Sequence, residues 1–138
     1  MERIIAAVDG SEESRRALAL ATRMARALGG RLTVTHVIPT YDEQLELGTY
    51  QEFEQAHETY AQSVLSEMTK AVEFPLERLE LKVLKGAPAE AVAQAAEASD
   101  VGMVVVGSRG RGAVARVLLG SVSDRLLHIS PKPVLVVR

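Results

Sequence analysis

No cysteine occurs among the 138 residues. That absence excludes disulfides, thiolate metal sites and a cysteine nucleophile, and it fits a reducing compartment. No apolar stretch is long enough to span a bilayer. The opening Met1-Glu2-Arg3-Ile4-Ile5 enters a strand-like run without a signal-peptide pattern, so the cytoplasm is the expected location. Net charge is only −2, so no global basic excess points to nucleic acid. Neither a membrane nor nucleic acid is expected as a partner.

Several motifs are missing too. A P-loop needs Gly-x-x-x-x-Gly-Lys-Ser/Thr after the first strand, and the chain has none. Gly110-Arg111-Gly112 begins a dinucleotide fingerprint, but Ala115 stands where its last glycine belongs. His36, His57 and His128 are scattered, with no His-Glu-x-x-His spacing, so no metal site is expected from side chains alone. No general base stands beside a nucleophile, and no catalytic residue is assigned.

What is present describes one folded domain. Hydrophobic residues make up 47% and charged residues 25%, enough for a core and a solvated surface. Short apolar runs alternate with stretches of helical periodicity. Strand-like runs cover Ile4–Val8, Leu32–Ile38, Leu79–Val83, Val101–Val106 and Val134–Val137. The third alternates with Glu80 and Lys82 and belongs at a sheet edge. The fourth is the most apolar and reads as central. Helices are expected from Ser11 to Leu28, from about Thr49, from Pro88, and from Ala113 to His128 in two pieces around Gly120. Thr49 and Glu52 have the spacing of a capping box, and Phe53, Ala56, Tyr60, Val64, Met68 and Val72 form an apolar stripe. Pro39–Gly48 reads as a loop. Strict β-α alternation implies a parallel sheet with helices on both faces, and a ligand crevice beyond the carboxyl ends of its strands.

Charge and glycine single out one region. Nine acidic residues and one lysine lie between Tyr41 and Glu77, while six basic residues and one acidic residue lie between Gly107 and Arg138. Within the basic third, Gly107-Ser108-Arg109-Gly110 follows the apolar fourth strand, and nine residues separate Gly110 from Gly120-Ser121. Each glycine alone suits ordinary backbone geometry. Together they expose N–H groups to a phosphate, with a helix starting at Gly120 adding its own and Arg109 or Arg111 adding charge. Asp9 is open to two roles: the cap of the first helix, or a hydrogen bond to a nucleoside or an indirect contact to a phosphate-bound metal.

The pattern Gly-x-x-Gly-x9-Gly-Ser, with Val122-Ser123, the ending Pro131-Lys132-Pro133-Val134-Leu135-Val136-Val137, the opening Ile4-Ile5-Ala6-Ala7-Val8-Asp9-Gly10-Ser11 and the run Thr35-His36-Val37-Ile38, resembles the ATP-binding branch of the universal stress protein family. The likeness spans essentially the whole chain. It implies an α/β fold, a three-layer α/β/α Rossmann-like sandwich on a five-stranded parallel sheet of order 3-2-1-4-5. It implies ATP between the loops after strands one and four, with Mg2+ or Mn2+ held through the phosphates. Adenine would meet Ala7, Val8, Asp9, Val37 and Val106. The phosphates would meet Gly107, Arg109, Gly110, Gly120, Ser121, Val122 and Ser123. A homodimer through Val134–Val137 is implied as well. Family members often carry an apolar or proline-like residue near position 7, where this chain has the small Ala7.

Two other functions were open. Related α/β folds adenylate substrates with a Ser-Gly-Gly-x-Asp-Ser loop after strand one. Here Asp9-Gly10-Ser11-Glu12-Glu13-Ser14 lacks the paired glycines and places acid where pyrophosphate would lie, which leaves slow ATP hydrolysis as the enzymatic alternative. Ser108-Arg109-Gly110-Arg111-Gly112 resembles a basic Arg-Gly segment, but the chain is acidic overall.

Overall fold

A computed structural model describes residues 2–40, 47–109 and 119–138, with the side chains of residues 47–51 and 53 left aside. The chain runs β1 (Arg3–Ala7), α1 (Glu12–Leu28), β2 (Arg31–Ile38), α2 (Leu47–Lys70), a 3-10 turn (Leu76–Arg78), β3 (Leu79–Lys85), α3 (Pro88–Ala95), β4 (Val101–Gly107), α4 (Ser121–Ile129) and β5 (Val134–Val137). All strand pairs are parallel, in the order β3-β2-β1-β4-β5. This is the implied three-layer Rossmann-like sandwich. The middle position belongs to β1, not β4. Both strands are covered on each face, so apolarity alone could not tell them apart.

Two apolar layers hold the sandwich together. On one face Ile4, Ala6, Leu32 and Val34 pack with Ala17, Leu18, Ala21 and Ala25 of α1 and with Val64, Leu65 and Met68 of α2. On the other, Ile5, Val104 and Val106 pack with Ala89, Val92 and Ala93 of α3 and Leu126 of α4. The small residues of α1 and α3 bring those helices close to the sheet, as their spacing predicted. At the amino end of the sheet, Arg3 bridges separate elements. Its Nε donates to Asp100 Oδ2 at 2.8 Å and its Nη1 to Thr33 Oγ1 at 2.7 Å.

Helix α2 departs from expectation. It begins at Leu47, ahead of Thr49, so Leu47 and Gly48 are helical and not loop. Residues 41–46 lie outside the described region. Its buried seam is Ala61, Val64, Leu65 and Met68, whereas Ala56 and Tyr60 are exposed. The first half of the helix meets the carboxyl ends of β2 and β3, where Lys85 pairs with Glu54 and Glu58. Tyr60 there turns toward β2, its ring edge-on to His36 at 5.9 Å.

Candidate functional site

The first rim of the site is the turn from β1 to α1. Asp9 Oδ1 accepts a hydrogen bond from Ser11 N at 2.9 Å, and Gly10 takes a left-handed conformation at φ 86°. The cap of α1 is therefore Ser11, whose hydroxyl accepts from Ser14 N, and not Asp9. Asp9 instead shapes the turn leading into that cap. Ser14 is buried, donating to Ser11 O and accepting from Asp9 N. Glu12 and Glu13 occupy the first turn of α1, where the helix dipole favours them.

The second rim is the end of β4. A side chain at Gly107 would bring its Cβ within 2.8 Å of the Glu13 carbonyl carbon and 2.9 Å of Ser14 N. This glycine thus lets β4 lie directly against α1. The space that a side chain there would take is already filled by Glu13 and Ser14, while Gly107 also lines the cleft. Ser108 is buried and ties three elements together. Its N–H donates to Val137 O at 2.7 Å, and its carbonyl accepts from Gly120 N and from Ser123 Oγ. Arg109 Nη2 lies 3.6 Å from Glu13 Oε1, joining the two rims by an ion pair.

Gly120 is the cap of α4 and, being glycine, brings no side chain to cap the first-turn N–H groups. The first-turn N–H groups of an α-helix have no intrahelical acceptor. At Ser121, Val122 and Ser123 they combine with the positive end of the dipole, which favours an anion. The Ser123 hydroxyl itself is buried and donates to the Ser108 and Gly120 carbonyls, so it braces the loop.

The third wall comes from β2 and α3. His36 is buried, with Nδ1 2.8 Å from Val8 O. A carbonyl can only accept, so Nδ1 bears a proton and donates it to Val8 O. Val37 follows on β2, and Pro88 and Val92 of α3 face it across the cleft.

These rims enclose a cleft of about 610 Å³, within the range that holds drug-sized ligands and cofactors. Ala7, Val8, Asp9, Val37, Val106, Gly107, Arg109, Gly120, Ser121, Val122 and Ser123 all line it. Gly110, the remaining expected contact, lies outside the described residues, as does the first piece of the helix expected from Ala113. The cleft also gathers residues that sequence reasoning left aside: Thr35, His36, His57, Tyr60, Pro88 and Val92. Thr35 and His36 were reachable from sequence, since they directly precede Val37 at a strand end. Tyr60 was hidden within an apolar stripe that reads as core. Among the described residues no group of three or more His, Cys, Asp or Glu could hold a metal, and no helix is long and apolar enough to cross a membrane.

The comparisons agree with this architecture. The Universal stress protein family pattern matches residues 1–138. A universal stress protein encoded beside a sulfhydrylase gene in Thermus aquaticus is 36% identical over 135 residues, covering 98% of this chain and 97% of that protein. The fold superposes on universal stress protein UspA from Lactobacillus plantarum with a TM-score of 0.88 at 21% identity, over 99% of this chain and 97% of that one. A universal stress protein solved in complex with cAMP aligns with a TM-score of 0.74 at 26% identity, over 99% and 97% of the two chains. With sequence pattern, relative and sheet order in accord along the full length, the chain belongs to the universal stress protein family.

Proposed function

We propose that this protein binds an adenine nucleotide, ATP foremost, in the cleft between the loops after β1 and β4, and that occupancy sets its conformation or dimer state. The observation that carries this reading is the start of α4, where a glycine cap without side-chain protection opens onto the cleft beside Arg109. The amides at Ser121, Val122 and Ser123, with Arg109, suit the phosphates, and Gly120 sets the cap that presents them. Gly110 belongs to the same loop. Ala7, Val8, Val37 and Val106 supply the apolar surface a purine needs, and Asp9 lies where a ribose or a phosphate-bound cation would approach. The relative solved with cAMP supports an adenine ligand for this fold.

A divalent cation fits this donor set as a companion of the phosphates. Mg2+ keeps several waters and needs only one or two carboxylates beside phosphate oxygens, and Asp9 is the carboxylate lining the cleft. Bound there, Mg2+ or Mn2+ would neutralise phosphate charge. Asp9 would orient the ion's waters while its Oδ1 keeps the turn.

The dimer belongs to the same proposal. Pro133 O and Val137 O accept from β4, so by strand alternation the amides of Val134 and Val136 face the open edge. An open apolar edge strand invites pairing with a second copy. Ser108 joins Val137 to Gly120, which links that edge to the phosphate-binding helix.

Mass analysis of the small molecule released on denaturing the purified protein, followed by calorimetric titration with ATP and Mg2+, tests the reading. Released or titratable ATP is expected. An empty protein that takes up no adenine nucleotide at millimolar concentration refutes it.

A further inference from the structure

Thr35, Ala7 and Val106 stand in one row across the sheet, since Thr35 pairs with Ala7 and Ala7 with Val106. Side chains in such a row share a face, and neighbouring strands lie about 4.8 Å apart. The row therefore spans roughly 10 Å, the scale of a purine with its sugar. Ala7 in the middle is the smallest side chain of the three, so the row has a hollow with Thr35 as one wall and Val106 as the other. Pro88 and Val92 of α3 border the same space.

That hollow is apolar except at one atom. Among the described residues, Thr35 Oγ1 and Arg78 Nε are the buried side-chain polar atoms without a partner, and of these only Thr35 lines the cleft. Thr35 is wholly buried. An unpaired buried hydroxyl is destabilising, and native interiors rarely keep one without cause. Valine has the same shape and good strand propensity, so packing alone gives no reason for threonine here.

We propose that Thr35 is a specificity-determining residue, whose hydroxyl hydrogen-bonds the polar edge of the base seated in the Ala7 hollow. This inference rests on the nucleotide reading above and names the group that distinguishes a heteroaromatic base from an apolar ring of equal size. A hydroxyl both donates and accepts, so the group can meet either a ring nitrogen or an exocyclic amine. A site built to hydrogen-bond a substrate discriminates strongly against analogues that leave its group unpaired.

The test compares wild type, Thr35→Val and Thr35→Ser by calorimetry with ATP, adenosine and inorganic tripolyphosphate, and by melting of the free protein. Thr35→Val should weaken ATP and adenosine about threefold to tenfold, the loss expected of one neutral hydrogen bond. It should leave tripolyphosphate unchanged and the free protein's melting temperature equal or higher. Thr35→Ser should retain ATP binding near wild type. Unchanged ATP affinity in Thr35→Val, an equal loss for tripolyphosphate, or a melting point lowered by several degrees overturns the assignment. Wild type that binds no adenine nucleotide sinks the function itself and this role with it. Wild type that binds ATP beside an unaffected Thr35→Val sinks only the role of Thr35.

Discussion

Gly107 and Arg109 show how neighbouring residues divide their work at the cleft. Gly107 is a packing position, since any Cβ there meets α1 backbone at under 3 Å. Gly107→Ala should destabilise the fold by about 1–3 kcal/mol through overpacking, read as a lower midpoint in urea unfolding. Arg109 spans the rims through Glu13 and stays one-third exposed at the mouth. Arg109→Gln should leave the unfolding midpoint close to wild type, because a partly exposed ion pair contributes little. The same substitution should weaken ATP several-fold and flatten the salt dependence of binding, checked by titration at two ionic strengths.

The helices differ in how much of each the sequence reveals. Helix α1 was legible in extent, from Ser11 to Leu28, but not in its cap, which falls on Ser11 and not on Asp9; Gly29 closes it in a left-handed conformation. The start of α4 was legible from Gly120 and its spacing. Helix α2 was not, because Tyr60 keeps the helical repeat yet lines the cleft, edge-on to His36, instead of entering the core. Whether a position of that repeat faces core or cleft is decided by tertiary packing, which periodicity does not record. The row of Thr35, Ala7 and Val106 was equally hidden, since register between distant strands leaves no local trace. For α4, Gly120→Asp provides a sharp check. A carboxylate at the cap should raise stability by a few tenths of a kcal/mol by accepting first-turn N–H bonds. It should also abolish nucleotide binding, since it fills and charges the anion site. Stability and affinity moving in opposite directions, by melting and titration together, is the expected signature.

Across the whole molecule, the two ends of the sheet serve different ends. The loops that line the cleft gather at the carboxyl edge, while Arg3 and Asp100 fasten the amino edge. The Arg3 guanidinium holds the Asp100 carboxyl below its ordinary range. A carboxylate so depressed adds stability that is complete above the usual aspartate range and fades as pH falls through the lowered value. Asp100→Asn should therefore lower the melting temperature at neutral pH, and the gap from wild type should close on acidification. At the opposite boundary of the sheet, Val136→Pro should remove the outward amide of β5 and leave a monomer by light scattering, with the fold intact by circular dichroism. The strand order was implied by family resemblance, not by periodicity, which fixes alternation and says nothing of neighbours. The direct seating of β4 on α1 at Gly107 has one more result. At that seam the end of β4 and the first turn of α1 form one joint, and a shift of either is felt by the other.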